Sequence, residues 1–156
     1  MLGWAPGLTL PAGRAAGAVS GEDMVGRRKT ILLIEDHPQL RGAIRGHLQR
    51  MGFETVEASD ATSALKRLSG CSPDLICLDL VLPESSGYEL CEFIRTMPEH
   101  RATPLLMMSD RSYPADRAHA AEVGADGFIA KPFGAELFRR AIEALLRGLP
   151  AKPAAP

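Results

Sequence analysis

Aromatic side chains are scarce, at 5% of 156 residues, so stacked-ring platforms for single-stranded nucleic acid are not expected. Neither sign of charge dominates: 18 Lys and Arg stand against 19 Asp and Glu, for a net charge of −1. A broadly basic surface that would bind nucleic acid directly is therefore disfavoured. Cysteine is limited to three residues, an odd number, which argues against a disulfide-stapled secreted scaffold and for reduced thiols in the cytoplasm. No run approaches the roughly 18 apolar residues needed to span a membrane. Residues 1–20 are mildly apolar but lack a basic leading segment and are broken by Pro6, Pro11 and several glycines, so a secretory leader is not the expected reading. Internal repeats are absent.

What is present suits one domain with a buried core: 46% apolar and 24% charged residues are near the globular average. The two ends differ from the rest. Six of the 15 glycines precede Arg27, and five of the 12 prolines (Pro6, Pro11, Pro150, Pro153, Pro156) lie in the terminal stretches. Such segments bury too little apolar area to offset the entropy of ordering them. Residues 1–28 and 148–156 are expected to be flexible tails on a domain spanning 29–147. Met24, just upstream of the first apolar run, is an alternative translation start.

Between the tails, short apolar runs alternate with helical periodicity. Ile31 to Ile34 and Leu75 to Leu78 are wholly apolar, as strands covered on both faces are. Further strands are expected at Glu54–Ala58, Pro104–Met108 and Gly127–Ala130. Helices are expected from Leu40 to Met51, from Ala61 after Asp60, and over Tyr88–Met97, Ala115–Val123 and Ala135–Leu146. Five strand–helix alternations predict an α/β domain with a five-stranded parallel sheet, doubly wound, with helices on both faces. Ligands in such sheets bind beyond the carboxyl ends of the strands.

The residues at those ends are Glu35 and Asp36 after the first run, Asp79 after the third, Ser109 after the fourth and Lys131 after the fifth. Singly, each is an ordinary loop residue or cap. Together they place three carboxylates, a hydroxyl and an ammonium on one edge. Carboxylates a few ångströms apart repel by several kcal/mol at an effective dielectric of about 20, so a proton or a cation must intervene. An all-oxygen site selects a hard ion such as Mg²⁺. A carboxylate beside Mg²⁺ and Lys, with a hydroxyl nearby, suits nucleophilic attack on phosphorus.

The strings Ile31-Leu-Leu-Ile-Glu-Asp36, Asp79-Leu-Val-Leu-Pro83 with Gly87 eight residues past Asp79, Ser109, and Gly127-Phe-Ile-Ala-Lys-Pro-Phe133 resemble the receiver domain of two-component response regulators, the CheY-like (flavodoxin-like) fold. The resemblance covers roughly residues 29–147. It implies that Asp79 accepts a phosphoryl group from a phosphohistidine on a sensor histidine kinase or histidine phosphotransfer protein. It implies Mg²⁺ held directly by Asp36, Asp79 and the Val81 main-chain carbonyl, with Glu35 acting through water. Ser109 and Lys131 would contact the phosphoryl group, Phe128 with Ser109 would form the switch, and the Lys131–Pro132 bond would be cis. It also admits a homodimer through the fourth helix, fifth strand and fifth helix. With only a Pro/Ala-rich stretch after Leu149, a stand-alone module is expected, signalling by protein–protein contact.

Three positions should modulate rates. Val81 offers no hydrogen bond to a hydrolytic water, Arg111 would shield the phosphoryl oxygens, and Asp110, where a small residue is usual, would repel the incoming group. Slow charging and slow decay are the expectation. Two rival readings remain: a receiver-like scaffold that is never phosphorylated, which only Asp110 favours, and a Mg²⁺-dependent phosphatase of the haloacid-dehalogenase type. The latter needs an acid where Val81 stands. His37 reads as a loop residue, His47 as a helix-border residue, and Cys77 and Cys91 as core thiols, while Cys71 is the more accessible thiol. Arg139, Arg140 and Arg147 read as a solvated face.

Overall fold

In the computed structural model, which describes residues 27–148, every predicted strand and helix forms. β1 (Thr30–Ile34) leads into α1 (Pro38–Arg50), which begins with Pro38 at its first turn and the His37 ring accepting from Leu40 N at 3.3 Å. The chain leaves α1 through Gly52, whose φ of 92° suits glycine. β2 (Glu54–Ala58) precedes α2 (Ala61–Gly70), started by a reciprocal cap: Ser63 N donates to Asp60 Oδ1 at 2.7 Å, and Asp60 N donates to Ser63 Oγ at 3.2 Å.

β3 (Leu75–Asp79) is followed by a short antiparallel hairpin, β4 (Val81–Leu82) and β5 (Ser85–Ser86), then α3 (Gly87–Thr96). Two-residue strands carry no periodicity, and sequence patterning gave no sign of the hairpin. β6 (Leu105–Ser109), α4 (Pro114–Glu122), β7 (Gly127–Ala130) and α5 (Ala135–Leu146) complete the chain. The fourth helix starts one residue earlier than expected because Pro114 takes the first-turn position, where a missing N–H costs nothing.

The five long strands are all parallel, in the order β2-β1-β3-β6-β7. The wholly apolar runs find their explanation in two cores. Leu32, Ile34, Ile76, Leu78 and Met107 face α2, α3 and α4, while Ile31, Leu33, Leu75, Cys77 and Met108 face α1 and α5. Strand order reverses at β1, whose successors lie on opposite sides, and the crevice between the ends of β1 and β3 is the topological switch point.

The other end of the sheet is closed by Arg95. Its guanidinium donates to the carbonyls of Gly124, His100 and Thr103 at 2.8–3.1 Å and to Asp126 Oδ2 at 3.0 Å. Arg139 and Arg140 do lie on an outer face, each paired with Glu136 within α5. Cys77 and Cys91 are buried, Cys91 Sγ donating to Val123 O at 3.5 Å, and Cys71 is partly exposed. The expected tails lie almost wholly outside the described residues. Of their inner ends, Arg27 pairs with Asp74 at 3.0 Å.

Candidate functional site

Glu35 extends the β1 ladder, donating its N–H to Ala58 O at 3.1 Å, and its side chain is turned inward at 1% exposure. Asp36, one residue on and past the end of β1, is exposed. Asp79 ends β3 and is 4% exposed. Oxygens of these three carboxylates come within 4.8 Å of one another. Lys131, just after β7, spans the cluster: its Nζ lies 2.7 Å from Glu35 Oε2 and 3.2 Å from Asp79 Oδ1. Its main-chain N–H donates to Ser109 O at 2.8 Å, which ties the fifth strand end to the fourth, and the Lys131–Pro132 peptide is cis.

Electrostatics follow from this packing. Burial pushes the Asp79 carboxyl up to about 7, and the Glu35 charge adds to that, while the Lys131 ammonium and the Val81 N–H pull it down without cancelling it. For Lys131, burial opposes the charge, but the hydrogen bond to Glu35 and the two carboxylates outweigh it and hold the ammonium above its ordinary pKa. The loop after Asp79 is folded back tightly. Gly87 N donates to Leu80 O at 2.6 Å, and a Cβ on Gly87 would stand 2.5 Å from the Asp79 carbonyl oxygen.

Ser109 is buried at the end of β6, its Oγ accepting from Arg111 N at 2.8 Å. Phe128 is buried in β7 beneath the Arg117 guanidinium, 4.9 Å from the ring centroid. Residues 31–143 match the response regulator receiver domain family. The chain belongs to that family. It is 34% identical over 117 residues to the transcriptional regulatory protein YxdJ of Bacillus subtilis (75% of this chain, 50% of that protein). It is 35% identical over 119 residues to the phosphate regulon transcriptional regulatory protein PhoB of Escherichia coli K12 (76% and 52%). The receiver chain thus spans about half the length of the curated relatives it matches. Among solved structures it resembles the chemotaxis response regulator CheY4 of Vibrio cholerae, with TM-score 0.73 and 26% identity over 76% of this chain and 99% of that one. It also resembles the receiver domain of a sensor histidine kinase from Pseudomonas aeruginosa PAO1, described with a magnesium ion coordinated in the active-site cleft (TM-score 0.72, 25% identity, 77% and 98% covered).

The receiver's donor set suits that ion. Three mutually close carboxylates form an all-oxygen cluster of the kind a hard divalent ion takes. No helix among the described residues is long and apolar enough to cross a membrane.

The structure places the remaining expected residues as follows. Val81, two residues after Asp79, is 53% exposed, and its N–H donates to Asp79 Oδ1 at 3.3 Å. Asp110 is exposed and helps line a cavity of about 450 Å³, with Leu40, His47, Lys131 and Phe133 on its other walls. Arg111 is arranged otherwise than expected. Its guanidinium pairs with Asp116 Oδ1 at 3.6 Å, because the connection after β6 carries it toward α4.

Sequence patterning passed over Tyr88, Asp116, Arg117 and Arg41 altogether. Arg41 donates to Glu35 O at 2.8 Å and pairs with Glu57. Asp116 is an acid in the first turn of α4. Its place on the inward stripe, four residues before buried Ala120, was the one signal available.

Proposed function

We propose that this receiver accepts a phosphoryl group on Asp79 from a phosphohistidine of a sensor histidine kinase or histidine phosphotransfer protein. One observation carries the reading: three strand-end carboxylates converge within 4.8 Å around a lysine that contacts two of them. Nothing in the packing of a core requires such a cluster, and its desolvation is costly unless it is used.

In this reading an Asp79 oxygen attacks phosphorus, the P–N bond to the donor imidazole breaks, and the imidazole leaves with its electron pair. Glu35, Asp36, Asp79 and the Val81 carbonyl would hold Mg²⁺. Bound there, the ion supplies charge neutralisation and Lewis-acid contact to a phosphoryl oxygen. Lys131, 3.2 Å from Asp79 Oδ1, would pair with an oxygen of the phosphoryl group, and Ser109, ending the neighbouring strand, would offer its hydroxyl to another. The rearrangement reaches Phe128 through paired strands β6 and β7, where Met107 stands opposite Phe128. Output follows by protein–protein contact in the cytoplasm, including self-association on the α4–β7–α5 face.

Incubation with acetyl phosphate and Mg²⁺, followed by intact mass, tests the reading. One added phosphoryl group that Asp79→Asn abolishes and EDTA prevents is the expected result. Label on another residue, or labelling undiminished by EDTA, overturns it. Asp110, exposed beside Lys131, is the observation behind a second reading, a receiver used as an unphosphorylated scaffold. That reading requires no adduct from any donor.

A further inference from the structure

The β6–α4 connection carries contacts for which the roles above have no use. Ser109 Oγ accepts from Arg111 N, and the Arg111 guanidinium turns to Asp116. Asp116 sits in the first turn of α4 at 8% exposure. From α3, the Tyr88 hydroxyl also donates to Asp116, lying 3.2 Å from its carbonyl oxygen and 3.3 Å from the same Oδ1. The Tyr88 ring stacks on His119 of α4 with centroids 4.0 Å apart. Burial and the Asp116 carboxylate push the Tyr88 hydroxyl pKa up, so it remains a donor. Tyr88 follows Gly87, which is pressed on the Asp79 main chain. The contacts therefore run from the acceptor's backbone through Gly87, Tyr88, Asp116 and Arg111 and return to the Ser109 hydroxyl.

An acid in a first turn favours the helix dipole even when exposed, so that effect does not explain why this one is buried. Burying a carboxylate is costly unless it is bonded, and here the bonds come from two separate segments. A serine hydroxyl has one proton and two lone pairs. With a lone pair taken by Arg111 N, the proton is left for another acceptor, and a phosphoryl oxygen on Asp79 is one.

We propose that Asp116 is a positioning residue: held between Tyr88 and Arg111, it fixes the β6–α4 connection so that Ser109 presents its hydroxyl proton to the phosphoryl group. Asp116 touches neither the acceptor nor the phosphoryl group, and its role rests on the receiver reading above.

The test compares the full chain with Asp116→Ala, Asp116→Asn and Tyr88→Phe. Three quantities are measured: Mg²⁺ affinity by calorimetry, affinity for beryllofluoride at saturating Mg²⁺, and the rate of labelling by acetyl phosphate. Mg²⁺ affinity should stay within about twofold. Beryllofluoride affinity and labelling rate should fall about tenfold in Asp116→Ala and Tyr88→Phe, equivalent to about 1.4 kcal/mol. Asp116→Asn keeps an oxygen for Tyr88 and should lie between these and the wild type. Tyr88→Phe removes a single oxygen and decides the matter should Asp116→Ala not fold. Undiminished beryllofluoride binding in either folded variant, or Mg²⁺ affinity falling in parallel, overturns the positioning role. A wild type that takes neither label nor beryllofluoride overturns the receiver reading itself, and this proposal with it.

Discussion

In the proposed reading Asp79 must be ionised to attack phosphorus, yet it sits where ionisation is disfavoured, buried and beside Glu35. The conflict has a thermodynamic consequence in metal-free protein. The folded-state pKa of about 7 stands above the unfolded value of about 3.9. The stability linked to Asp79 is therefore complete below the lower value and is lost as pH rises through the upper one. Asn does not titrate and carries no charge, so Asp79→Asn should raise the melting temperature in EDTA far more at pH 8 than at pH 4. The difference at pH 8 is on the order of a few kcal/mol. Thermal melts across that range check it, and saturating Mg²⁺ should narrow the gap by supplying the missing counter-charge. Gly87 makes a second residue-scale case. A methyl group there meets main chain rather than a flexible side chain, so Gly87→Ala should cost about 1–3 kcal/mol in urea unfolding. It should also slow labelling, because the backbone that must give way is that of Asp79 itself.

Elements differ in how plainly the sequence announces them. β1, β3, β6 and β7 were legible because their apolar runs suit strands covered on both faces, and α5 because its apolar stripe is sharply defined. From those strands the positions of Glu35, Asp36, Asp79, Ser109 and Lys131 followed directly, since each stands at a strand's carboxyl end. The β4–β5 hairpin and the Tyr88–Asp116 contact did not follow. They depend on how two loops meet in space, which no local period encodes. Arg95 was hidden for the same reason: on α3 it reads as a last-turn cation, yet it closes the end of the sheet away from the site. Arg95→Met removes the cation beside buried Asp126 and three donors to loop carbonyls. It should lower stability by about 3–5 kcal/mol, the usual cost of breaking a buried pair. Acetyl phosphate labelling of the remaining folded protein should be unaltered, since the network and Asp79 lie at opposite ends of the sheet.

At the scale of the whole molecule, the question is which part can move when charge arrives at one edge of a rigid sheet. The strands cannot: β1, β3 and β6 are buried along almost their whole length, between two packed cores. α5 is pinned by Phe138, Ala141, Ile142 and Leu145. α4 is anchored least. Its N-terminus lacks a side-chain cap, its buried residues are only Asp116 and Ala120, and one of those is charged. Arg117 on the same helix buries part of its guanidinium over Phe128, and burial depresses its pKa. Desolvating that cation and stacking it on a ring, worth about 0.5–2 kcal/mol, are opposing effects of similar size, so a small bias suffices to tip the balance. Regions with few apolar anchors open at the lowest free energy. Amide exchange should therefore be faster in residues 114–122 than in α1 or α5 of the resting protein. Beryllofluoride with Mg²⁺ should change exchange chiefly in residues 109–131, from Ser109 through α4 to Lys131. It should leave the Arg95 end as it was. Uniform protection over all five helices would show instead that the phosphoryl analogue tightens the domain as a single body, with no separate moving element.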